Sequence, residues 1–204
     1  MIILIGESGS GKTTILNELE KRGYKKAVNH TTRAKREGEE KLKEYKFVTK
    51  TEFEDMWNKN ELLQRAEFNG EFYGIGIDSL KEDVACISIV DSVKDIKEKA
   101  KELGKEDIKI HTFYIFVSPE ERTKRMLKRG DSIEGIQKRI AIDKEKFAKV
   151  KEVVDYTIEN NEIEEAVNQI IELDQKEKQY STSSLIDGYI LEYSKILWML
   201  NQSI

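Results

Sequence analysis

The chain has 204 residues, 38% hydrophobic and 36% charged, and a formal net charge of −4, which fits one α/β domain with insertions and excludes long-range disorder. That acidic balance argues against a dedicated nucleic-acid binder, which is usually basic overall. A single cysteine, Cys86, excludes an internal disulfide framework and a clustered cysteine zinc site, and fits a reducing compartment.

The chain opens MIILIGESGSGKTT, with no charged leader and a glycine already at position 6, so it does not read as a signal peptide. No uncharged apolar stretch approaches the roughly 18 residues that span a bilayer. The expectation is a soluble cytoplasmic protein with neither a membrane nor a nucleic acid as partner. Met1 to Ile5 is an apolar run without alternation, the pattern of a strand buried on both faces. A Gly-rich turn follows, and Thr13 to Lys21 then carries Ile15, Leu16 and Leu19 at helical spacing.

Beyond residue 31 the character changes. Tyr45 to Val48 reads as a strand, and Thr51 with Glu54 as the capping box of a short helix bearing Phe53, Met56 and Trp57. Leu62 to Phe68, Asn69-Gly70 and Glu71 to Ile75 read as a hairpin. The α/β alternation resumes at Val84 to Val90, a buried strand ending at Asp91, with a Lys/Glu-rich helix to Leu103 and a strand over Ile108 to Val117. Ser118 as cap, Pro119 at the first helical position and Glu121 three after the cap start the next helix, which Gly130 ends. A helix over about Ile133 to Val150, a short strand over Tyr156 to Ile158 and a helix from an Asn161 cap to about Leu173 complete the frame. The alternation gives an α/β class with a mostly parallel sheet, and the GESGSGKT turn between its first strand and helix makes it a three-layer P-loop NTPase fold. Gln175 to Ser183 reads as a polar linker. The apolar spacing of Leu185, Ile186, Tyr189, Ile190, Tyr193, Ile196, Leu197 and Leu200 predicts a final amphipathic helix, packed on the parent domain or on a second copy as a homo-oligomer.

Gly6-Glu-Ser8-Gly9-Ser10-Gly11-Lys12-Thr13 satisfies G-x-x-x-x-G-K-[ST] without mismatch, between a predicted strand and a predicted helix. The glycines let successive N–H groups converge on phosphate oxygens, and the helix N-terminus adds positive potential. Lys12 is expected to reach the β- and γ-phosphates of ATP, with the Thr13 hydroxyl on Mg²⁺ and Thr14 opening the helix beside it. This is a nucleoside triphosphate site.

Four further motifs follow in order: Thr31-Thr-Arg33-Ala-Lys-Arg36-Glu-Gly-Glu39, Tyr45-Lys-Phe-Val48, Glu71-Phe-Tyr73-Gly74, and Arg129-Gly-Asp-Ser-Ile-Glu134 through Arg139. Together they resemble the guanylate kinases, which move a phosphoryl group from ATP to GMP, over about residues 1–173. The resemblance implies a core of 1–30, 78–120 and 150–173, a β-rich monophosphate-binding insertion at 31–77 and a helical lid at about 121–149, with 174–204 outside it. Arg33, Arg36, Tyr45 and Tyr73 fall where the family holds the acceptor phosphate, which suits guanidinium forks and phenol hydroxyls. Asp91 falls at the acidic position near acceptor and metal. Arg125, Arg129 and Arg139 fall where the lid arginines neutralise the transferring phosphoryl beside Lys12, and Asn160 near the donor adenine. Three positions depart from the pattern: Asn29, Gln64 and Ile75 stand where the family reads the base with a serine, a glutamate and a serine or threonine. A carboxylate offers two acceptors to guanine's two adjacent donors, whereas the Gln64 amide offers only one. The expectation is a nucleoside monophosphate kinase for GMP, dGMP or a related monophosphate with altered base preference. The alternatives are a kinase of a phosphorylated sugar on the same frame and a non-catalytic phosphoprotein-binding module, the second disfavoured by the intact loop.

Overall fold

An apolar run without alternation needs cover on both faces, and Ile2–Ile5 (β1) has it: all four residues are buried. A computed structural model describes residues 1–35, 45–68, 70–81, 84–87 and 89–179. It divides into two units, Met1–Val167 and Asn168–Ile204. In the first, β1 is the central strand of a five-stranded sheet. After helix α1 (Lys12–Lys21) come the short strands β2 (Lys25–Lys26) and β3 (Asn29–Thr31), then β4 (Tyr45–Phe47) and helix α2 (Lys50–Asn58). The hairpin β5 (Ala66–Phe68) and β6 (Glu71–Ile75) leads to β7 (Val84–Ile87), α3 (Ser92–Glu102) and β8 (His111–Phe116). Helices α4 (Pro119–Arg129) and α5 (Ile133–Lys146) precede β9 (Tyr156–Glu159). The main sheet runs β2-β7-β1-β8-β9 with every pairing parallel. This is the mostly parallel α/β architecture expected, with its crossovers made through helices.

The local start signals operate as chemistry demands. Ser118 Oγ accepts from the Glu121 N–H at 3.2 Å with Pro119 at the first turn of α4. Other expectations are corrected. The α2 capping box is Thr49 with Glu52, not Thr51 with Glu54: Glu52 accepts from the Thr49 N–H at 2.7 Å, and Thr49 Oγ1 from the Glu52 N–H at 3.1 Å. Both pairs fit the same pattern, but α2 begins at Lys50, so Thr51 already lies inside its first turn; Phe53 is the helix's buried residue. Helix α5 stops at Lys146, and a single 3₁₀ turn, Val150–Glu152, follows in place of further α-helix. The last helix covers 163–179, running through part of the stretch expected as linker. Gln, Lys and Glu are good helix formers, and within the second unit Lys178 pairs with Asp174 one turn earlier at 3.0 Å. The predicted amphipathic helix beyond it, and Arg36, lie outside the described residues.

The insertion builds its own four-stranded sheet, β4-β3-β6-β5. Only β3–β4 is parallel; β3–β6 and β5–β6 are antiparallel. Strand β3 starts at Asn29, so this sheet begins just inside the stretch expected to belong to the core. The hairpin ladder is shorter than expected: below Ala66 it is interrupted, and resumes as a bridge from Leu62 to Gly76 with a 2.8 Å bond from the Leu63 N–H to the Ile75 carbonyl and a 2.9 Å bond from the Ile77 N–H to the Glu61 carbonyl. Ile75 and Leu63 join the main core with Met1, Ile3, Ile5 and Val84.

Candidate active site

Parallel strands put all their carboxyl ends at one edge, where ligands of open α/β sheets bind. Loop 6–13 leaves β1 there, Asp91 sits at the cap position of α3 after β7, α4 begins after β8, and Asn160 follows β9. The two ends of the chain's frame meet at the loop. Asn160 is fully buried, its Nδ2 donates to the Ser10 carbonyl at 2.7 Å, and its own carbonyl accepts from Arg125 at 2.9 Å. The position that resemblance assigns to the donor adenine therefore also holds the phosphate loop in shape.

Lys12 lies folded over its own loop. Its Nζ donates to the carbonyls of Gly6 and of Glu7, the latter at 3.0 Å, and reaches Ser10 Oγ at 3.5 Å. Burial lowers its pKa to about 8, against the opposing pull of the Asp143 and Glu7 carboxylates. Thr13 and Thr14 are exposed in the first turn of α1. Among the described residues no group of three or more His, Cys, Asp and Glu side chains could hold a metal. The Thr13 hydroxyl fits the other way of holding Mg²⁺, in which one hard oxygen ligand supplements nucleotide phosphates and waters.

The three predicted lid arginines lie on two helices, Arg125 and Arg129 on α4 and Arg139 on α5. Arg125 is tied to Asn160 as above and to Glu121 at 3.1 Å. Arg129, half-exposed, grips Asp131 with Nε at 3.1 Å and with Nη2, and Arg139 from α5 reaches the same carboxylate at 3.3 Å. Two of the three predicted lid arginines thus converge on one carboxylate. The Arg129 hydrogen bonds hold the Asp131 carboxyl below its ordinary range.

Strand register sorts the insertion's side chains. Residues directly paired point to the same face, and alternate residues share it. Asn29 opposes both Tyr45 and Ile75, while Thr31 opposes Phe47 and Tyr73. One face therefore carries Asn29, Tyr45, Tyr73 and Ile75 together; the other carries His30, Lys46, Phe72 and Gly74. Arg33 joins the first face, its guanidinium 5.2 Å from the Tyr45 ring centroid and 5.3 Å from that of Phe47. Gln64 is buried in the interruption of the hairpin ladder. Gly74 permits that close passage: a Cβ there would stand 2.8 Å from the Gln64 carbonyl oxygen.

Four residues at the loop escaped the sequence reading. Glu7 accepts from the Tyr114 hydroxyl at 2.8 Å, Asp143 of α5 accepts from the Ser8 N–H at 2.8 Å, and the buried Arg122 of α4 lies between the two carboxylates. One signal was available: Arg122 stands one turn before Met126, the fully buried residue of α4, and so shares its inward stripe.

Comparison with known proteins bears on this arrangement. The family model described as guanylate kinase matches residues 1–177. The chain is 35% identical over 179 residues to the guanylate kinase of Halalkalibacterium halodurans, covering 83% of this chain and 84% of that one. It is 32% identical over 181 residues to that of Anaplasma phagocytophilum, covering 83% of each. The crystal structure of guanylate kinase from Anaplasma phagocytophilum superposes with a TM-score of 0.59 at 28% identity, over 87% of this chain and 85% of that one.

Proposed function

The chain belongs to the guanylate kinase family and is an ATP-dependent phosphotransferase acting on a nucleoside monophosphate; on that premise we propose that it phosphorylates GMP or dGMP and, with altered base preference, a related monophosphate. The observation that carries this reading is the condition of the base-reading positions. Ile75, at the position where the family has a hydroxyl residue, is fully buried in the main hydrophobic core, and its side chain offers no hydrogen bond. Gln64 is buried as an amide where two acceptors would match guanine. One guanine donor left unpaired costs about 1–3 kcal/mol, or roughly ten- to a hundredfold in discrimination.

Phosphoryl transfer asks the protein for positioning and charge neutralisation, with no side-chain nucleophile. Loop 6–13, including Gly6, Ser8, Gly9, Ser10 and Gly11, cradles the ATP phosphates. Lys12 leaves its own carbonyls for phosphate oxygens, and Thr13 would hold Mg²⁺, which would supply further neutralisation of the phosphates. Arg33, Tyr45 and Tyr73 hold the acceptor phosphate, with Arg36 as the second guanidinium, and Asp91 would supply the acidic group near acceptor and metal. Arg125, Arg129 and Arg139 spread the charge of the transferring group, the last two exchanging Asp131 for phosphate oxygens.

The test is a coupled ADP-release assay with ATP and GMP, dGMP, AMP, CMP, UMP, dTMP or ribose 5-phosphate. The expected kcat/KM for GMP exceeds that for the best other base by no more than about a hundredfold, and Gln64→Glu raises the preference for GMP about tenfold or more. Exclusive use of GMP, unchanged by Gln64→Glu, would overturn the reading.

A further inference from the structure

The G-x-x-x-x-G-K-[ST] pattern leaves position 7 open, and this chain puts a carboxylate there, inside a loop that must attract a polyanion. We propose that Glu7, Arg122 and Asp143 form a buried ionic brace fixing the phosphate loop to helices α4 and α5, with Arg122 a positioning residue for ATP. This rests on the reading of loop 6–13 as the ATP phosphate site.

The geometry centres on the peptide unit joining Glu7 and Ser8. Its N–H donates to Asp143 Oδ2 at 2.8 Å, and its carbonyl accepts from Lys12 Nζ at 3.0 Å. Asp143 therefore orients the group on which the loop's lysine is seated. Arg122 Nη1 stands 3.5 Å from the same Asp143 oxygen and 3.4 Å from the Ser8 carbonyl, and Nη2 stands 3.8 Å from Glu7 Oε1. At these separations the guanidinium acts as a charge held between two acids more than as a bidentate fork. Glu7 is oriented from its far side by the Tyr114 hydroxyl of β8. All three charged side chains of the brace are buried, so the charges are weakly screened.

The packing brings α4 into the loop itself. A Cβ at Gly9 would meet the Arg122 carbonyl oxygen at 2.9 Å, so the helix backbone touches the loop at the residue after Ser8. Arg122 is thus the point where the helix bearing Arg125 and Arg129 is registered on the phosphate site. Glu7 and Asp143 carry two negative charges and Arg122 returns one. Lys12 balances the remainder, and without Arg122 the group would turn a net negative charge toward the incoming phosphates.

Calorimetric titration of the full chain with Mg·ATP, and separately with GMP, tests this. Arg122→Met is expected to raise the Kd for ATP by about thirtyfold or more, as loss of one partner of a buried charge pair does, and that for GMP by less than about threefold. Adding Glu7→Gln restores charge balance, and the double variant is expected to recover ATP binding to within about fivefold of the parent. A structural role alone would weaken both nucleotides together and would not be rescued by removing a second group. Should Arg122→Met not fold, Arg122→Lys keeps the charge but not its reach, and is expected to weaken ATP about three- to tenfold while leaving GMP unchanged. Equal losses for the two nucleotides, unchanged ATP binding, or no rescue by Glu7→Gln would overturn the brace. Lys12→Ala separates the two readings: if it too leaves ATP binding intact, the loop is not the ATP site; if it abolishes binding while Arg122→Met does not, only the brace fails.

Discussion

Replacing Gly11 by alanine strains the site in two separable ways. Gly11 has φ +90°, a left-handed conformation that costs an L-residue about 1–2 kcal/mol. Its added Cβ would also lie 2.5 Å from Asn160 Nδ2, the donor that holds the Ser10 carbonyl at 2.7 Å. Asn160 has nowhere to retreat, since it is fully buried and its backbone is fixed to Phe116 at 2.9 Å. Displacing it leaves buried polar groups unpaired, at about 1–3 kcal/mol. The sum is about 2–5 kcal/mol. Gly23 provides the internal control: its φ is +97°, yet a Cβ there meets nothing within 4 Å. Gly23→Ala is therefore expected to show the backbone cost alone, about 1–2 kcal/mol. Urea unfolding of both variants, with ATP titration of each, makes the comparison. Gly11→Ala should be the less stable by at least about 1 kcal/mol and should lose ATP affinity, whereas Gly23→Ala should bind ATP normally. Equal destabilisation of the two, with ATP affinity intact in both, would refute the claim that Asn160 shapes the loop.

Two further predictions concern the sheet that carries the site. Asp155 is partly buried, which disfavours its charge. Bonds from the Thr112 N–H at 2.8 Å and hydroxyl at 2.6 Å, with Lys97 at 3.1 Å, outweigh burial and lower its pKa. A folded pKa below the unfolded one contributes stability that is complete above the ordinary value of 3.8 and is lost as pH falls below it. Asp155→Asn should lower stability at pH 7 by about 1 kcal/mol, a modest figure because the carboxylate is partly exposed, and flatten the acid limb of a stability–pH profile; an unchanged acid limb would contradict this. Burial pushes the Cys86 thiol up to about 12, so a thiol reagent at pH 8 should label it only as fast as the chain unfolds; rapid labelling of the native protein would show that β7 is open.

Where structure is dictated locally, it was legible. Ser118-Pro119 with Glu121 and the unalternating Ile2–Ile5 run each contain their own physical reason. Loop 6–13 was likewise readable because its glycines and Lys12 are required by the phosphate chemistry itself. The capping box of α2 shows the limit of local pattern: Thr49 and Thr51 offer the same signal, and spacing alone does not choose between them. Strands as short as Lys25–Lys26 and Asn29–Thr31 carry no period to detect and exist through their neighbours in the sheet. The brace is illegible for a related reason. Ser8 and Asp143 are 135 positions apart, Glu7 and Tyr114 107, and spacing within any one helix or loop says nothing about that meeting. Gln64 lies between these cases: its chemistry was readable as an amide, while the broken hairpin and the Gly74 that accommodates it are properties of the folded sheet.

An acceptor site that reads phosphate strictly and the base weakly is measured directly by competition between monophosphates. Equimolar GMP, AMP, CMP, UMP and dTMP, offered together with limiting Mg·ATP, yield diphosphates in proportion to their kcat/KM values. GDP is expected to be accompanied by at least one other diphosphate at about one part in a hundred or more, and to be enriched further by Gln64→Glu. GDP as the sole product of both the parent and the Gln64→Glu variant would contradict weak reading of the base.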